Sequence, residues 1–273
     1  MMMFFVNKKS FFVVLLLIIA SYIFIRIYTS EYYRPARNRH SGTIITKSKS
    51  DTIKIAFIGD SWAAMHQNHQ CNIAQLLMSE LNIPVEVRTA GVSGLTSKGV
   101  YYSIFDNKTI RRVVIDWGPN YCIIAAGVND SDRKMGIDFY RENMKLIVDF
   151  LLVQGITPVL LEIPSYNAWR SFEVRDIYTK LQYLFSMLRN LSSMDCIEMY
   201  RNNLIDLIEI QGWTSQVIMI CTDSWNSLGY EDDRNIYDDL QMHLNESGYK
   251  ILDSCIASSI RDDVQLHFLS NNY

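Results

Sequence analysis

Apolar residues form one long uncharged run near the start of the chain. Beyond residue 52 they form short runs that alternate with longer amphipathic segments. The short, β-branched runs predict strands at residues 53–58, 84–89, 121–125, 157–162 and 216–221. Apolar residues at helical spacing predict helices at residues 71–82, 137–154, 176–191, 203–211 and 247–260. Continuously apolar strands separated by helices indicate a parallel sheet covered on both faces. We therefore predict an α/β fold, a three-layer α/β/α sandwich with a mainly parallel central sheet.

The long run near the start carries no charge over residues 11–25, and two lysines precede it. With the residues just beyond Arg26 it approaches the ~20 apolar residues that a helix needs to cross a bilayer. The pattern predicts a transmembrane anchor at residues 11–28, behind a short flank at residues 1–10. A cleaved signal peptide is one alternative, although no Ala-x-Ala-like site follows the run, and a buried core helix is another.

Residues 29–51 are polar and basic, and their apolar content is too low for them to fold alone. They predict a stalk between the membrane and a single domain at residues 52–273. About 220 residues suit one domain of this fold class.

Composition narrows the classes of function. The 273 residues include 26 Lys and Arg against 29 Asp and Glu, and this net charge of −3 argues against nucleic-acid binding. The five cysteines are scattered without a CxxC pair, so the sequence predicts neither a zinc framework nor a dense disulfide scaffold. The triplet of His66, His69 and Cys71 lacks a fourth ligand, and we expect no metal and no cofactor.

Short polar signatures follow the first three predicted strands, at the sheet edge where open parallel sheets bind their ligands. They are Gly59-Asp60-Ser61, Ala90-Gly91-Val92-Ser93-Gly94 and Gly127-Val128-Asn129-Asp130. A fourth polar block, DDLQMHLN at residues 238–245, precedes the last predicted helix. Each string is common by itself, but their joint order at strand ends is hard to explain by chance.

These four blocks resemble those of the SGNH subgroup of the GDSL hydrolases over residues 53–260. The closest resemblance is to small esterase-like members of bacterial surface-polysaccharide gene clusters. The resemblance implies that Ser61 is the nucleophile and that His243 is the histidine of the last block. It also assigns Gly94 and Asn129 to the glycine and asparagine blocks.

The chemistry of these residue types agrees with the resemblance. A serine hydroxyl needs a base such as an imidazole to take its proton. Acyl transfer also needs hydrogen-bond donors aimed at the developing oxyanion. The backbone N–H of Ser61, the N–H of Gly94 and the side-chain amide of Asn129 can supply three. The structural alternatives are a helix cap for Ser61 or Asn129, a turn glycine at Gly94 and an exposed loop histidine at His243.

The third triad member is where the sequence departs from the family pattern of Asp-x-x-His. That pattern would put aspartate at position 240, which is Leu240, and leucine cannot accept the imidazole N–H. We predict that Asp239, four residues before His243, completes the triad through a local bulge. Asp238 is the alternative, and a Ser–His dyad without a carboxylate is the third possibility.

These residues predict a serine esterase that removes O-acyl groups, expected to be O-acetyl, from a carbohydrate or cell-surface glycan. The alternatives are a lysophospholipase or thioesterase, a sugar O-acyltransferase, and an inactive glycan-binding or assembly protein. Such a substrate implies a catalytic domain outside the cytoplasm, held by the N-terminal helix. A count of the flanking Lys and Arg residues favours the opposite orientation. The sequence does not determine the oligomeric state.

Overall fold

The computed structural model describes residues 8–46, 51–66, 72–222, 236–238 and 242–270. Internal contacts divide the chain into one unit at Met1–Arg34 and a second unit at Pro35–Tyr273. The first unit contains helix α1 (Lys8–Tyr28), in which Phe11–Tyr28 is long and apolar enough to cross a membrane. A membrane anchor and a signal sequence both fit a helix of this length and composition near the amino terminus.

The second unit is built on one parallel sheet of five described strands. They are β1 (Ile53–Gly59), β2 (Val85–Gly91), β3 (Tyr121–Ala125), β4 (Thr157–Leu161) and β5 (Ile218–Ile220). Their order across the sheet is β2-β1-β3-β4-β5. The chain leaves β1 toward one side of the sheet and leaves β3 toward the other. The crevice between the ends of β1 and β3 is therefore the position where such sheets bind ligands.

Helices follow the strands and cover the sheet. They are α2 (Ser61–His66), α3 (Ile73–Leu81), α4 (Ser97–Asp106), α5 (Lys108–Arg111), α6 (Val128–Asp132), α7 (Ile137–Val153), α8 (Ala168–Glu173), α9 (Ile177–Asn190), α10 (Ile197–Ile210) and α11 (Glu246–Ser270). Helix α11 packs on α3, and α7 packs on both α4 and α10. Right-handed crossovers put these two groups on opposite faces of the sheet. The predicted three-layer fold is confirmed.

Burial explains why the strands are continuous apolar runs rather than alternating ones. All five residues of β3 are buried, and Ile55 to Ile58 of β1 are completely inaccessible. A strand that is covered by helices on both faces gains from apolar side chains at every position.

The sequence assigns no element to residues 95–120, where the structure has α4, α5 and a π-helical turn at Arg112–Asp116. Helix α4 was missed because it contains Gly99 and several β-branched or aromatic residues, all of low helix propensity. Its start is capped by Thr96, whose hydroxyl accepts a hydrogen bond from the Gly99 N–H.

Helix α10 begins at Ile197, whereas the sequence predicts a helix only from residue 203. The charged Arg201 lies on its buried face, where its Nε donates to the Ile163 carbonyl at 2.7 Å. A charge at a core-facing position interrupts the apolar periodicity from which the helix would be predicted. The last helix continues well past the predicted end at residue 260, because its buried apolar side chains continue to Val264.

Part of the predicted stalk makes hydrogen bonds with the domain. From Pro35 onward the chain lies along α4 and α7, and we call residues 35–46 the strap. The backbone N–H groups of Ala36, Arg39 and Ile45 donate to side chains of the domain, respectively to Asn143 Oδ1, the Tyr101 hydroxyl and Gln154 Oε1. Side chains of the two helices thus supply the hydrogen bonds that an extended segment cannot make within itself.

The strap predicts a difference in stability between two shortened chains. A chain that begins at Pro35 is expected to unfold at a temperature roughly 5 °C or more above that of a chain beginning at residue 47, because several hydrogen bonds of about 1 kcal/mol each are lost with the strap. Thermal unfolding followed by circular dichroism checks this. Equal midpoints would show that the strap contributes nothing to folding.

Candidate active site

The ends of three strands come together at the sheet's carboxyl edge. Gly59 is paired in register with Gly91 of β2 and with Ala125 of β3. A Cβ atom on Gly59, where φ is +154°, would lie 2.1 Å from the Ala125 carbonyl oxygen. Only glycine permits this approach, which is completed by a hydrogen bond from the Asp60 N–H to the same oxygen at 3.1 Å. The residues after β1 and β3 are therefore held side by side.

Ser61 is the first residue of α2, directly after that crowded turn. The Asp60 side chain accepts from the Trp62 N–H at 3.0 Å, and its carbonyl accepts from the Ala64 N–H. Asp60 thus caps the short helix, and Ser61 needs no capping role of its own. Its side chain is largely buried, with 8% of the residue exposed.

His243 reaches Ser61 from the other end of the chain. Its Nε2 lies 2.9 Å from Ser61 Oγ. The described residues beside it pair with residues 236–238: Leu244 forms an antiparallel bridge with Tyr237, and the Asp238 N–H donates to the His243 carbonyl. The Tyr237 hydroxyl donates to the Ser165 carbonyl at 2.8 Å, which connects this pair to the segment after β4. Two of the predicted site residues are therefore in direct contact.

A carboxylate faces the second nitrogen of the imidazole. Asp238 Oδ2 lies 3.4 Å from His243 Nδ1, and its Oδ1 is 3.4 Å from the His243 N–H. The predicted partner, Asp239, lies outside the described residues, so the structure does not test that prediction. Asp238, the alternative by sequence, is the carboxylate that the described part of the chain brings to the ring.

Burial lowers the pKa of His243 below its usual value of 6.5, and the charge and hydrogen bond of Asp238 partly oppose this shift. The imidazole is therefore neutral at pH 7. A neutral imidazole whose Nδ1 proton points at a carboxylate leaves Nε2 free to accept a proton from a hydroxyl.

Asn129 lies at the start of α6, directly after the end of β3. Its side-chain Nδ2 donates to Asp60 Oδ2 at 3.1 Å, which holds the amide next to the turn that carries Ser61. Gly127, with φ of +118°, makes the turn into this helix, and a Cβ there would collide with Ile163. The third predicted site residue is thus adjacent to the first two.

Gly94 lies in the loop after β2 and has φ of +80°, which favours glycine. A Cβ at Gly94 would be 3.1 Å from the Arg133 guanidinium, at the end of α6. The start of the same loop is fixed by the Val92 N–H, which donates to the Gly59 carbonyl at 3.1 Å. The glycine loop therefore approaches both the end of β1 and the end of α6, although no described contact joins Gly94 to Ser61.

Two completely buried carboxylates tie the blocks together. Asp130 accepts hydrogen bonds from the N–H and the hydroxyl of Ser97, at 2.7 and 2.5 Å, and so links α6 to the start of α4. Burial raises the pKa of Asp130 to about 6 and that of Asp60 to about 7. Asp60 therefore carries a proton over part of the neutral range, although its neighbours donate to it. This property depends on burial and is not visible in the sequence.

His66, grouped by sequence with His69 and Cys71, is buried at the end of α2. Its Nε2 lies 2.6 Å from Asp253 Oδ1 on α11, and both side chains are almost inaccessible. His69 and Cys71 lie outside the described residues. Within the described segments no group of three or more His, Cys, Asp or Glu residues could hold a metal ion. His66 instead joins α2, the helix that begins at Ser61, to α11.

Four aromatic residues near the predicted strand ends are candidates for stacking on a sugar or for the core, namely Trp62, Tyr166, Trp169 and Trp225. Those that the structure describes differ in exposure. Trp62 and Tyr166 are 2% exposed and belong to the core, and the Tyr166 hydroxyl contacts Ser131 Oγ. They cannot stack on a sugar. Trp169 is 60% exposed, and Trp225 lies outside the described residues.

The raised pKa of Asp60 predicts a dependence of stability on pH. Between about pH 4 and pH 7 the unfolded chain has lost the Asp60 proton whereas the folded chain keeps it, so stability falls as pH rises through this window. Asp60→Asn removes the titration. The drop in unfolding temperature between pH 5 and pH 8 is expected to shrink by roughly 5 °C, equivalent to about 2 kcal/mol. Thermal scans at the two pH values measure it.

The control is Asp138→Asn, because this carboxylate is exposed and its side chain is 84% accessible. It should leave the pH dependence unchanged. An Asp60→Asn protein with the wild-type pH dependence would show that Asp60 is already ionised when folded near pH 5.

Comparisons with known proteins agree with this geometry. A search of curated protein sequences finds no match. Similar solved structures include a psychrotrophic esterase from Pseudoalteromonas sp., with 14% identity, a TM-score of 0.53 and coverage of 79% of this chain and 100% of that chain. An acetylxylan esterase from Geobacillus stearothermophilus is 15% identical, with a TM-score of 0.51 and coverage of 76% and 94%.

A GDSL-like lipase from Bacteroides thetaiotaomicron is also 15% identical, with a TM-score of 0.51 and coverage of 77% of this chain and 88% of that chain. At these identities the likeness shows the fold alone. The sequence model of the GDSL-like lipase/acylhydrolase family, in contrast, matches residues 57–251, which include all four polar blocks. The chain therefore belongs to the GDSL-like lipase/acylhydrolase family, whose members are hydrolases of ester bonds.

Proposed function

We propose that this acylhydrolase is a serine esterase that removes O-acetyl groups from a cell-surface glycan, using Ser61, His243 and Asp238. The observation that carries the mechanism is the 2.9 Å contact between Ser61 Oγ and His243 Nε2, with the Asp238 carboxylate on the far side of the ring. This is the arrangement of a hydroxyl nucleophile, its general base and a carboxylate that orients the base.

In the first half of the reaction Ser61 Oγ attacks the acetyl carbonyl carbon while its proton passes to His243 Nε2. The tetrahedral oxyanion receives hydrogen bonds from the Ser61 and Gly94 backbone N–H groups and from the Asn129 amide. The intermediate collapses as His243 returns the proton to the sugar oxygen. The sugar alcohol leaves, and the acetyl group stays on Ser61.

In the second half a water molecule attacks the acyl-enzyme, and its proton passes to His243. Collapse of this second intermediate releases acetate and returns the proton to Ser61 Oγ. During both halves the Asp238 carboxylate stabilises the imidazolium and holds the Nδ1 proton. Asp60 contributes by accepting from Asn129 Nδ2, so the amide keeps its second N–H for the oxyanion.

The choice of an acetylated glycan is supported by the sequence resemblance to members of surface-polysaccharide clusters and by fold neighbours described as acetylxylan esterases. The proposed location outside the cytoplasm, with α1 as a membrane anchor, follows from that substrate. Hydrolysis of p-nitrophenyl acetate, butyrate and octanoate, together with acetate release from acetylated xylan, tests the acyl length and the carbohydrate. A preference for octanoate would favour a lysophospholipase or thioesterase instead.

Ser61→Ala is expected to lower kcat on p-nitrophenyl acetate by at least about 10³, because the nucleophile is lost. The unfolding temperature should stay unchanged. Ser79→Ala is the matched control, since Ser79 is an exposed serine on α3. Retention of more than a tenth of the wild-type rate by Ser61→Ala would refute the assignment of the nucleophile.

The carboxylate is tested by a pair of neighbouring substitutions. Asp238→Asn is expected to lower kcat at least tenfold, whereas Asp239→Asn changes it little. Because Asp238 raises the pKa of His243, the acidic limb of kcat/KM in Asp238→Asn should also move to lower pH. Steady-state rates across pH 4 to 9 measure both effects. The reverse result would establish Asp239 as the third triad member, and two fully active variants would indicate a Ser–His dyad.

A further inference from the structure

Helix α9 exposes most of its large apolar side chains, whereas an ordinary surface helix buries them. Its buried side chains are Tyr183 and Ser186, whereas its large apolar side chains point away from the domain. Those exposed apolar residues, at or directly after the helix, are Ile177, Tyr178, Leu181, Leu184, Phe185, Leu188 and Leu191, each 48–90% exposed. We call this set the α9 face.

An apolar surface of this extent costs free energy in water unless something covers it. It continues toward α8, because Phe172 of α8 packs against Tyr183 with ring centroids 5.8 Å apart. Trp169 of α8 and Val174 directly after it are exposed by 60% and 54%. Aromatic and aliphatic side chains combined in this way are typical of a helix that lies in a membrane interface.

The charges of α8 and α9 favour an anionic lipid surface because basic residues are in excess. Residues 170–191 contain the basic residues Arg170, Arg175, Lys180 and Arg189 against the two carboxylates Glu173 and Asp176. The Lys180 ammonium lies over the Phe172 ring, 5.7 Å from its centroid. Basic residues at the border of an apolar face are attracted to anionic lipid headgroups, whereas acidic residues there would be repelled.

The strap meets the domain close to the C-terminal end of α9. The C-terminal end of α9 lies at the start of α7, since Asn190 Nδ2 donates to the Lys134 carbonyl at 2.5 Å. The strap joins the domain at Ala36, whose N–H donates to Asn143 of the same α7, roughly 9 Å along the helix from its first residue. Only residues 29–34 separate this unit from α1, and when fully extended they span at most roughly 20 Å.

We propose that the α9 face docks on the surface of the bilayer in which α1 is anchored. This inference rests on the proposed anchoring by α1 and does not depend on the esterase chemistry. Docking would hold the active site near the lipid surface, because Ser171 of α8 donates to Asp132 of α6 at 2.8 Å, and α6 carries Asn129. The substrate would then be an acylated group presented at the membrane surface.

Tryptophan quenching in the full-length chain tests the docking. The protein is reconstituted into vesicles of phosphatidylcholine and phosphatidylglycerol, with or without bromine on the acyl chains. The first tryptophan of the chain is Trp62, so α1 adds no signal. The contribution of Trp169 is the difference between wild type and Trp169→Phe. We expect brominated lipid to quench this contribution about twofold, as for a side chain at the acyl boundary.

The variant Leu184→Glu/Leu188→Glu should abolish that quenching. The matched control is Val153→Glu/Ile210→Glu, which charges two residues exposed by 74% and 75% at the far ends of α7 and α10. It should be quenched like wild type. Absence of Trp169 quenching in wild type, or its persistence in the α9 variant, would overturn the proposal.

A second measurement separates the membrane from a second copy of the chain. Sedimentation in detergent micelles should give a monomer for wild type and for the Leu184→Glu/Leu188→Glu variant. A wild-type dimer that the variant dissociates would assign the α9 face to a protein interface and overturn membrane docking. Vesicle flotation at high pH tests the anchor independently, because the α9 variant should still float through α1. Neither readout requires turnover, so loss of the esterase proposal would not alter them.

Discussion

The close approach of β1 to β3 at Gly59 is the constraint on which the site depends. A side chain at this position would penetrate the Ala125 carbonyl, so the two strand ends can meet only through a glycine. This close approach puts Ser61, which follows β1, beside α6, which follows β3. Both lie at the crevice where the chain leaves the two strands toward opposite sides of the sheet. Ser61 and Asn129, separated by more than sixty residues in the chain, become neighbours as a consequence of sheet geometry.

Buried carboxylates fix the positions of these neighbouring elements by accepting hydrogen bonds from them. Asp60 holds both the start of α2 and the Asn129 amide, and Asp130 holds the start of α4. Asp253 holds His66, and with it the C-terminal end of α2. Each loses hydration on burial and regains hydrogen bonds only if its partners are correctly placed. A network of this kind favours one arrangement of the loops over alternatives that leave a carboxylate unsatisfied.

The second unit differs in two respects from a freely tethered globular domain. Its first residues are a strap held by Asn143, Tyr101 and Gln154, so the domain does not begin with β1. Its helix α9 turns polar residues inward and apolar residues outward. Both features belong to the second unit and are independent of the residues at the sheet's carboxyl edge.

The sequence by itself determined the fold class, because continuous apolar strands and intervening helices allow few arrangements. It also located Ser61 and Asn129, since polar residues directly after buried strands must gather at one edge of a parallel sheet. His243 directly follows no predicted strand, and the resemblance of the last polar block to that of a known family indicated it. It could not determine the carboxylate partner, because a turn can present either of two adjacent aspartates to a ring. In the described residues Asp238 faces Nδ1 of His243, next to the bridge between Tyr237 and Leu244. The strap and the outward face of α9 were also decided by tertiary structure. A periodic pattern shows that a helix has an apolar face, but only packing decides whether that face is buried.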